Sequence, residues 1–271
     1  MDRIIAVNSN CYHGFPLSDA IDGIVDSGAK VIELTATKGW TEHVFPTMSF
    51  HELVAVRDHL RDVGLSVIGL SGHCNLRDSG RIPDFRDNIH LAHFFGSRYI
   101  VSSVGEAHLK DKKESGDEEL VRNIRSFLPL LEEYGMVLVL ETHGKEGTGK
   151  AVDRIVKMVD SPLVGINYDT ANVIFYGGVE GTSDLASCID DVRYLHVKDK
   201  AGTKDSWDFP ALGQGYVPFA DIFALLDEAG NDAPLSLEIE FTREGPGSLE
   251  EVNKAVKESI LYLNEKRYLK K

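Results

Sequence analysis

Eight short runs rich in Val, Ile and Leu recur along the 271-residue chain, and most are followed by a longer amphipathic stretch. Few folds accept that alternation. The runs are RIIAVNS from residue 3, KVIELTA from 30, LSVIGLSG from 65, SRYIVSS from 97, MVLVLET from 136, LVGINYD from 163, VRYLHVK from 192 and PLSLEIE from 234. LSDAIDGIVDSG, SFHELVAVRDHLRDVG, ELVRNIRSFLPLLEEYG and FADIFALLDEAG read as helices, several opening on Ser or Asp and stopping at Gly. Strand and helix repeated eight times predict an α/β fold, a single (β/α)₈ TIM barrel. The sixth unit is weakest, with a short helix expected around 182 to 190. No linker or low-complexity tract divides the chain, so residues 1–271 are expected to form one domain.

Four side chains that can bind metal sit at the ends of four successive runs: Glu141, Asp169, His196 and Glu238. The intervals 141 to 169, 169 to 196 and 196 to 238 each hold a strand, a helix and two loops, since one βα unit takes about 30 residues or more. Groups so spaced converge only where parallel strands end side by side, which is where barrels carry their chemistry. Three carboxylates and an imidazole suit a hard or borderline divalent ion. One divalent metal ion is therefore expected, with Mn²⁺ favoured and Mg²⁺, Co²⁺ or Zn²⁺ open.

The net charge of −14 argues against nucleic acid as a partner and for a small substrate. No apolar stretch approaches the roughly 20 residues a bilayer demands, and the start MDRIIAVNSN lacks a basic segment before a long apolar core. No membrane partner and a cytoplasmic location are expected. Cys11, Cys74 and Cys188 form no CxxC pair, which suggests reduced thiols.

VLETHG, YDTANVIFYGG, YLHVKDK, LGQGYVPF and SLEIEF together resemble the xylose-isomerase-like barrel superfamily across essentially the whole chain. Its members include sugar isomerases, ketose 3-epimerases, hydroxypyruvate isomerase, inosose dehydratase and endonuclease IV. The resemblance implies that Glu141, Asp169, His196 and Glu238 hold the metal. It further implies that Glu141 and Glu238 act as an acid/base pair, moving a proton next to a carbonyl through a metal-stabilised enediolate. The expected activity is thus that of a metal-dependent isomerase or epimerase of a sugar, sugar acid or sugar phosphate in carbohydrate metabolism. A dehydratase of the inosose type shares the intermediate. An endonuclease IV-like phosphodiesterase or a non-catalytic sugar-binding barrel is further off. Assembly as a homodimer or homotetramer is also implied by the family.

Glu238 and Glu240 lie two apart on one strand face, and Glu238 is preferred as ligand because it stands where the family places its glutamate. Glu240 would be a rim group near substrate or a partner of Arg243. His73, Asn172, Lys198, Glu33 and Trp40 are the other candidate substrate-binding residues. Glu33 is taken to end the second strand, with Lys198 as its natural ionic partner. Asn172 stands where many relatives have a histidine, Ser102 and Ser103 end the fourth run without one, and none follows Asp208. A trinuclear zinc nuclease site is therefore not expected. FPALGQGYVPF lacks a nucleotide-binding spacing and reads as a loop covering substrate, although Lys198, Lys200 and Arg243 leave room for an anionic group.

Overall fold

The computed structural model describes residues 3–106, 108–109, 113–179 and 182–268, with side chains described to residue 265. Eight parallel strands close on themselves: β1 (Ile5–Asn8), β2 (Val31–Thr35), β3 (Ser66–Ser71), β4 (Tyr99–Ser102), β5 (Val137–Glu141), β6 (Val164–Asp169), β7 (Val192–Val197) and, after a short β8 (Asp208–Phe209), β9 (Leu235–Leu237). β9 pairs with both β7 and β1, which completes the barrel. The eight apolar runs are these eight strands, and the expected (β/α)₈ barrel is observed.

The helices are α1 (Leu17–Asp26), α2 (Phe50–Asp62), α3 (Ile82–Phe94), α4 (Asp117–Arg125), α5 (Leu128–Tyr134), α6 (Gly149–Val159), α7 (Asn172–Phe175), α8 (Ser183–Cys188), α9 (Phe219–Glu228) and α10 (Leu249–Tyr268). Local chemistry sets their ends. Ser49 and Glu52 form a reciprocal capping box at the start of α2. Pro129 sits in the first turn of α5, where its missing N–H costs nothing, so the single helix read from ELVRNIRSFLPLLEEYG is two. The sixth unit holds the brief α7 and α8, in line with its weak sequence signal.

The large core lies between strands and helices, with Ile32, Leu34, Leu138, Leu140, Ile166 and Leu195 fully buried on the outward strand face. The opposite face fills the barrel. Ala6, Ile68, Tyr99, Val101, Val139 and Tyr194 plug its lower half, and Asn8, Glu141 and His196, each two residues beyond a plug residue, emerge at the mouth. A two-stranded antiparallel sheet, β8 with β10 (Phe241–Thr242), stands over that mouth. Two-residue strands carry no readable period, so this pair has no signature in the residue pattern.

Candidate metal centre

Glu141, Asp169, His196 and Glu238 meet at the barrel mouth, each offering one ligand atom, and these atoms lie within 4.8 Å of one another. Glu141 and Asp169 are the last residues of β5 and β6, His196 is next to last in β7, and Glu238 directly follows β9. All four are buried, Asp169 and His196 completely.

Each ligand candidate is fixed by neighbouring side chains or backbone. Asp169 Oδ1 accepts from the backbone N–H groups of Ala171 and Asn172 at 2.9 and 2.8 Å, while Oδ2 is held only by the Lys198 ammonium 3.0 Å away. Glu141 Oε1 accepts from Asn172 Nδ2 at 2.9 Å, and Oε2 lies 3.0 Å from His73 Nε2. Since His73 Nδ1 accepts from the Ser103 backbone at 3.0 Å, its proton sits on Nε2, facing Glu141. Glu238 Oε1 accepts from Asn10 Nδ2 at 2.9 Å and Asn8 Nδ2 at 3.4 Å.

His196 is fixed from below. Its Nε2 lies 3.1 Å from both oxygens of Glu33, and Tyr194 donates to the same carboxylate at 2.9 Å. Nε2 must therefore carry a proton, and Nδ1 points into the ring, 3.5 Å from Glu141 and 3.4 Å from Glu238, without a hydrogen-bond partner. One buried orphan atom, His196 Nδ1, facing three carboxylates fits a hard or borderline divalent cation.

The charge balance points the same way. Glu141, Asp169, Glu238 and Glu240 face one buried ammonium, Lys198 Nζ, which lies 3.0 Å from Asp169, Glu238 and Glu240. Burial pushes Asp169 up to about 7, against the pull of Lys198. Burial also acts on Glu141, but His73 and His196 overcome it and hold that carboxyl well below its usual range. Lys198 and His196 hold Glu238 low in the same way. Burial raises Glu240, with Lys198 opposing and Glu238 adding. Both cations resist burial: Glu33, Glu238 and Glu141 raise His196, and Asp169, Glu238 and Glu240 raise Lys198.

Several expectations need correction. Glu33 lies in mid-strand, completely buried, and binds His196 and Tyr194 rather than Lys198. Glu240 pairs with Lys198 rather than Arg243, and Asn10 reaches it at 3.5 Å. Asn172 and His73 are both bonded to Glu141, although both also line the cavity above it. Trp40 does reach the mouth, stacked between His13 at 4.0 Å and His108 at 4.9 Å. Lys200 points away, into the carbonyls of Ala201 and Thr203.

The nest of the GQG loop is already filled. Asp199 accepts from the N–H groups of Gly213, Gly215 and Val217, so a carboxylate of the chain itself occupies that nest. Asn8 and Asn10, which hold Glu238, escaped the sequence reading; the Asn-Ser-Asn triplet at the end of the first run was their only signal. His108 also lines the cavity. Burial beside His73 and His143 pushes it down to about 3, and burial pushes His143 down to about 4, so both are neutral rings at the mouth.

Residues 21–266 match the family described as xylose isomerase-like TIM barrel. An inosose dehydratase of Geobacillus kaustophilus (strain HTA426) is 24% identical, the match covering 83% of this chain and 84% of that one. Among solved structures, an IOLI protein with a bound zinc atom superposes with a TM-score of 0.76 at 18% identity, over 98% of this chain and 99% of the other. A D-allulose 3-epimerase from Methylomonas sp. in complex with D-allulose gives 0.75 at 16%, over 98% and 97%. At such identities the superpositions speak for the fold, while the match along residues 21–266 speaks for ancestry: the chain belongs to the xylose isomerase-like TIM-barrel family.

Proposed function

We propose that this protein is a divalent-metal-dependent isomerase or epimerase that moves a proton on the carbon beside a carbonyl of a sugar, sugar acid or sugar phosphate. The observation that carries the reading is the buried ring of Glu141, Asp169, His196 and Glu238, with His196 Nδ1 unpartnered at its centre. Mn²⁺ is the favoured ion for three carboxylates and one imidazole, with Mg²⁺, Co²⁺ and Zn²⁺ as alternatives. A bound divalent ion would supply Lewis-acid polarisation of the carbonyl and its neighbouring hydroxyl.

The chain's own groups do the rest. Glu141 and Glu238 come from β5 and from the end of β9, strands that are not neighbours in the barrel, so they flank a substrate carbon from two sides. One takes the proton and the other returns one, which inverts the centre; return to the adjacent carbon isomerises the sugar. His73 and Asn172 orient Glu141, Asn8 and Asn10 orient Glu238, and Glu33 fixes His196. Lys198, Glu240 and Trp40 border the same cavity and face substrate hydroxyls.

The likeness to inosose dehydratase favours a second reading, in which the same enediolate expels a β-hydroxyl. Both are tested by incubating the metal-loaded protein with ketoses, inososes and sugar acids in D₂O. Deuterium at the carbon beside the carbonyl is the expected result, with Glu141→Gln and Glu238→Gln abolishing it. Growth of enone absorbance assigns dehydration, and turnover by a fully demetallated protein would end both readings.

A further inference from the structure

The ring of ligand candidates opens into a cavity of only about 20 Å³, little more than the ~10–15 Å³ one water needs. Beside it lies a second cavity of about 460 Å³, within the usual range of ligand pockets. The two share Asn10, Trp40 and Glu240 as walls, so they are the inner and outer compartments of one cleft. The inner compartment is too small for a sugar ring, so a reacting ketose extends from it into the outer one.

Four aromatic rings stand in its walls: Trp40, Trp207, Phe241 and His13. Trp207 is set by edge contacts from Phe175 and Phe209 at 5.7 and 5.3 Å, and crosses Trp40 at 62°. Phe241 holds a left-handed backbone (φ 57°), a conformation that costs an aromatic residue roughly 1–3 kcal/mol. Pairing of Phe241 with Phe209 maintains it and presents the ring to the cleft. Trp40 Nε1 is buried without an acceptor, an unspent donor where the compartments meet. Thr242, Arg243 and Glu244 supply polar groups at the rim. Flat apolar walls with a few polar edges match a pyranose ring, whose C–H faces stack on aromatic rings while its hydroxyls point outward.

Resting on the proton-transfer reading above, we propose that the substrate is two-part: a keto sugar whose reacting ring meets the metal centre and whose glycosidically linked second ring lies between Trp207 and Phe241. The outer compartment is thus a specificity site for glycosides over free sugars.

The test compares deuterium exchange by the Mn²⁺-loaded protein on fructose with that on isomaltulose, turanose and lactulose, each a fructose unit bearing a second hexose. At least one disaccharide is expected to exceed fructose about tenfold in kcat/KM, the scale of one aromatic stacking contact. Trp207→Ala should erase that ratio. Phe241→Gly should do so as well, and glycine suits its backbone, so the second variant guards against misfolding of the first. Equal rates on free and glycosylated ketoses, or exclusion of every disaccharide, overturns the glycoside proposal while the isomerase reading stands. No exchange on any ketose removes both together.

Discussion

Glu33→Gln isolates a contact that should matter to an ion and little to folding. In the wild-type protein Glu33 lies 3.1 Å from His196 Nε2 through both oxygens and accepts from Tyr194 at 2.9 Å. Glutamine keeps the shape: its carbonyl can accept from the imidazole, and its amide can donate to the Tyr194 oxygen. What disappears is a buried negative charge that keeps the His196 proton on Nε2 and makes Nδ1 a better donor to metal. Losing such an outer partner typically costs 10–100-fold in metal affinity, or about 1.4–2.7 kcal/mol. The neutral amide still bonds the ring, so the lower end, near tenfold, is expected. Glu33→Ala would be a poor substitute, because it strands two buried donors at about 1–3 kcal/mol each and confounds binding with folding. Calorimetric titration of metal-free wild-type and Glu33→Gln protein with Mn²⁺ measures the ratio, and urea unfolding of the metal-free forms supplies the control. Affinity within twofold of wild type, with unfolding unchanged, would refute the assignment of Glu33 as the residue that orients His196.

Adding Mn²⁺ at a hundred times its dissociation constant should stabilise the folded protein by about 2.7 kcal/mol, roughly a 5–10 °C rise in Tm. Differential scanning calorimetry reads it, and Glu141→Gln should suppress it. Gly215→Ala would push a methyl into the Asp199 carboxylate and the Lys200 carbonyl. A loss of about 1–3 kcal/mol in urea unfolding is expected, with Mn²⁺ affinity unchanged, since Asp199 belongs to the loop and not to the ring. Acid stability carries the mark of His43, whose pKa burial lowers. Below about 6.5 the unfolded chain takes up a proton there that the folded chain refuses, so this contribution is present above that pH and is lost as pH falls. His43→Gln should therefore flatten the acid limb of stability by up to about 1.36 kcal/mol per pH unit, measured as the difference from wild type between pH 6.5 and 5. An identical pH slope in the variant would show the ring to be freely protonated in the fold.

What could be read from the sequence followed from how far each signal reaches. The barrel and its four convergent ligand candidates were legible because strand periodicity and βα spacing constrain positions tens of residues apart, and Glu141, Asp169, His196 and Glu238 converge as those spacings require. Partner choice was not legible. Glu33 was matched with Lys198 by charge alone, yet Glu33 lies below the ring, level with Asn8 in the register of β1 and β2, whereas Lys198 follows the end of β7 and rises beside Asp169, Glu238 and Glu240. One pleat along a strand moves a side chain about 3.3 Å and turns it to the other face, so an uncertain strand end leaves every ion pair at a barrel mouth undetermined. The same limit explains Asn8 and Asn10, which serve as turn residues in countless loops and acquire a role only because β1 lies beside β9 and so beside Glu238. It also separates the two halves of the cleft. The metal ring descends from strand ends and was foreseeable, but Trp207 and Phe241 are brought together by β8 and β10, two residues each, whose pairing no local pattern encodes. If specificity resides in that pair, relatives with this ring can take different substrates while their strand-end motifs stay alike, and the motifs alone will identify the chemistry sooner than the sugar.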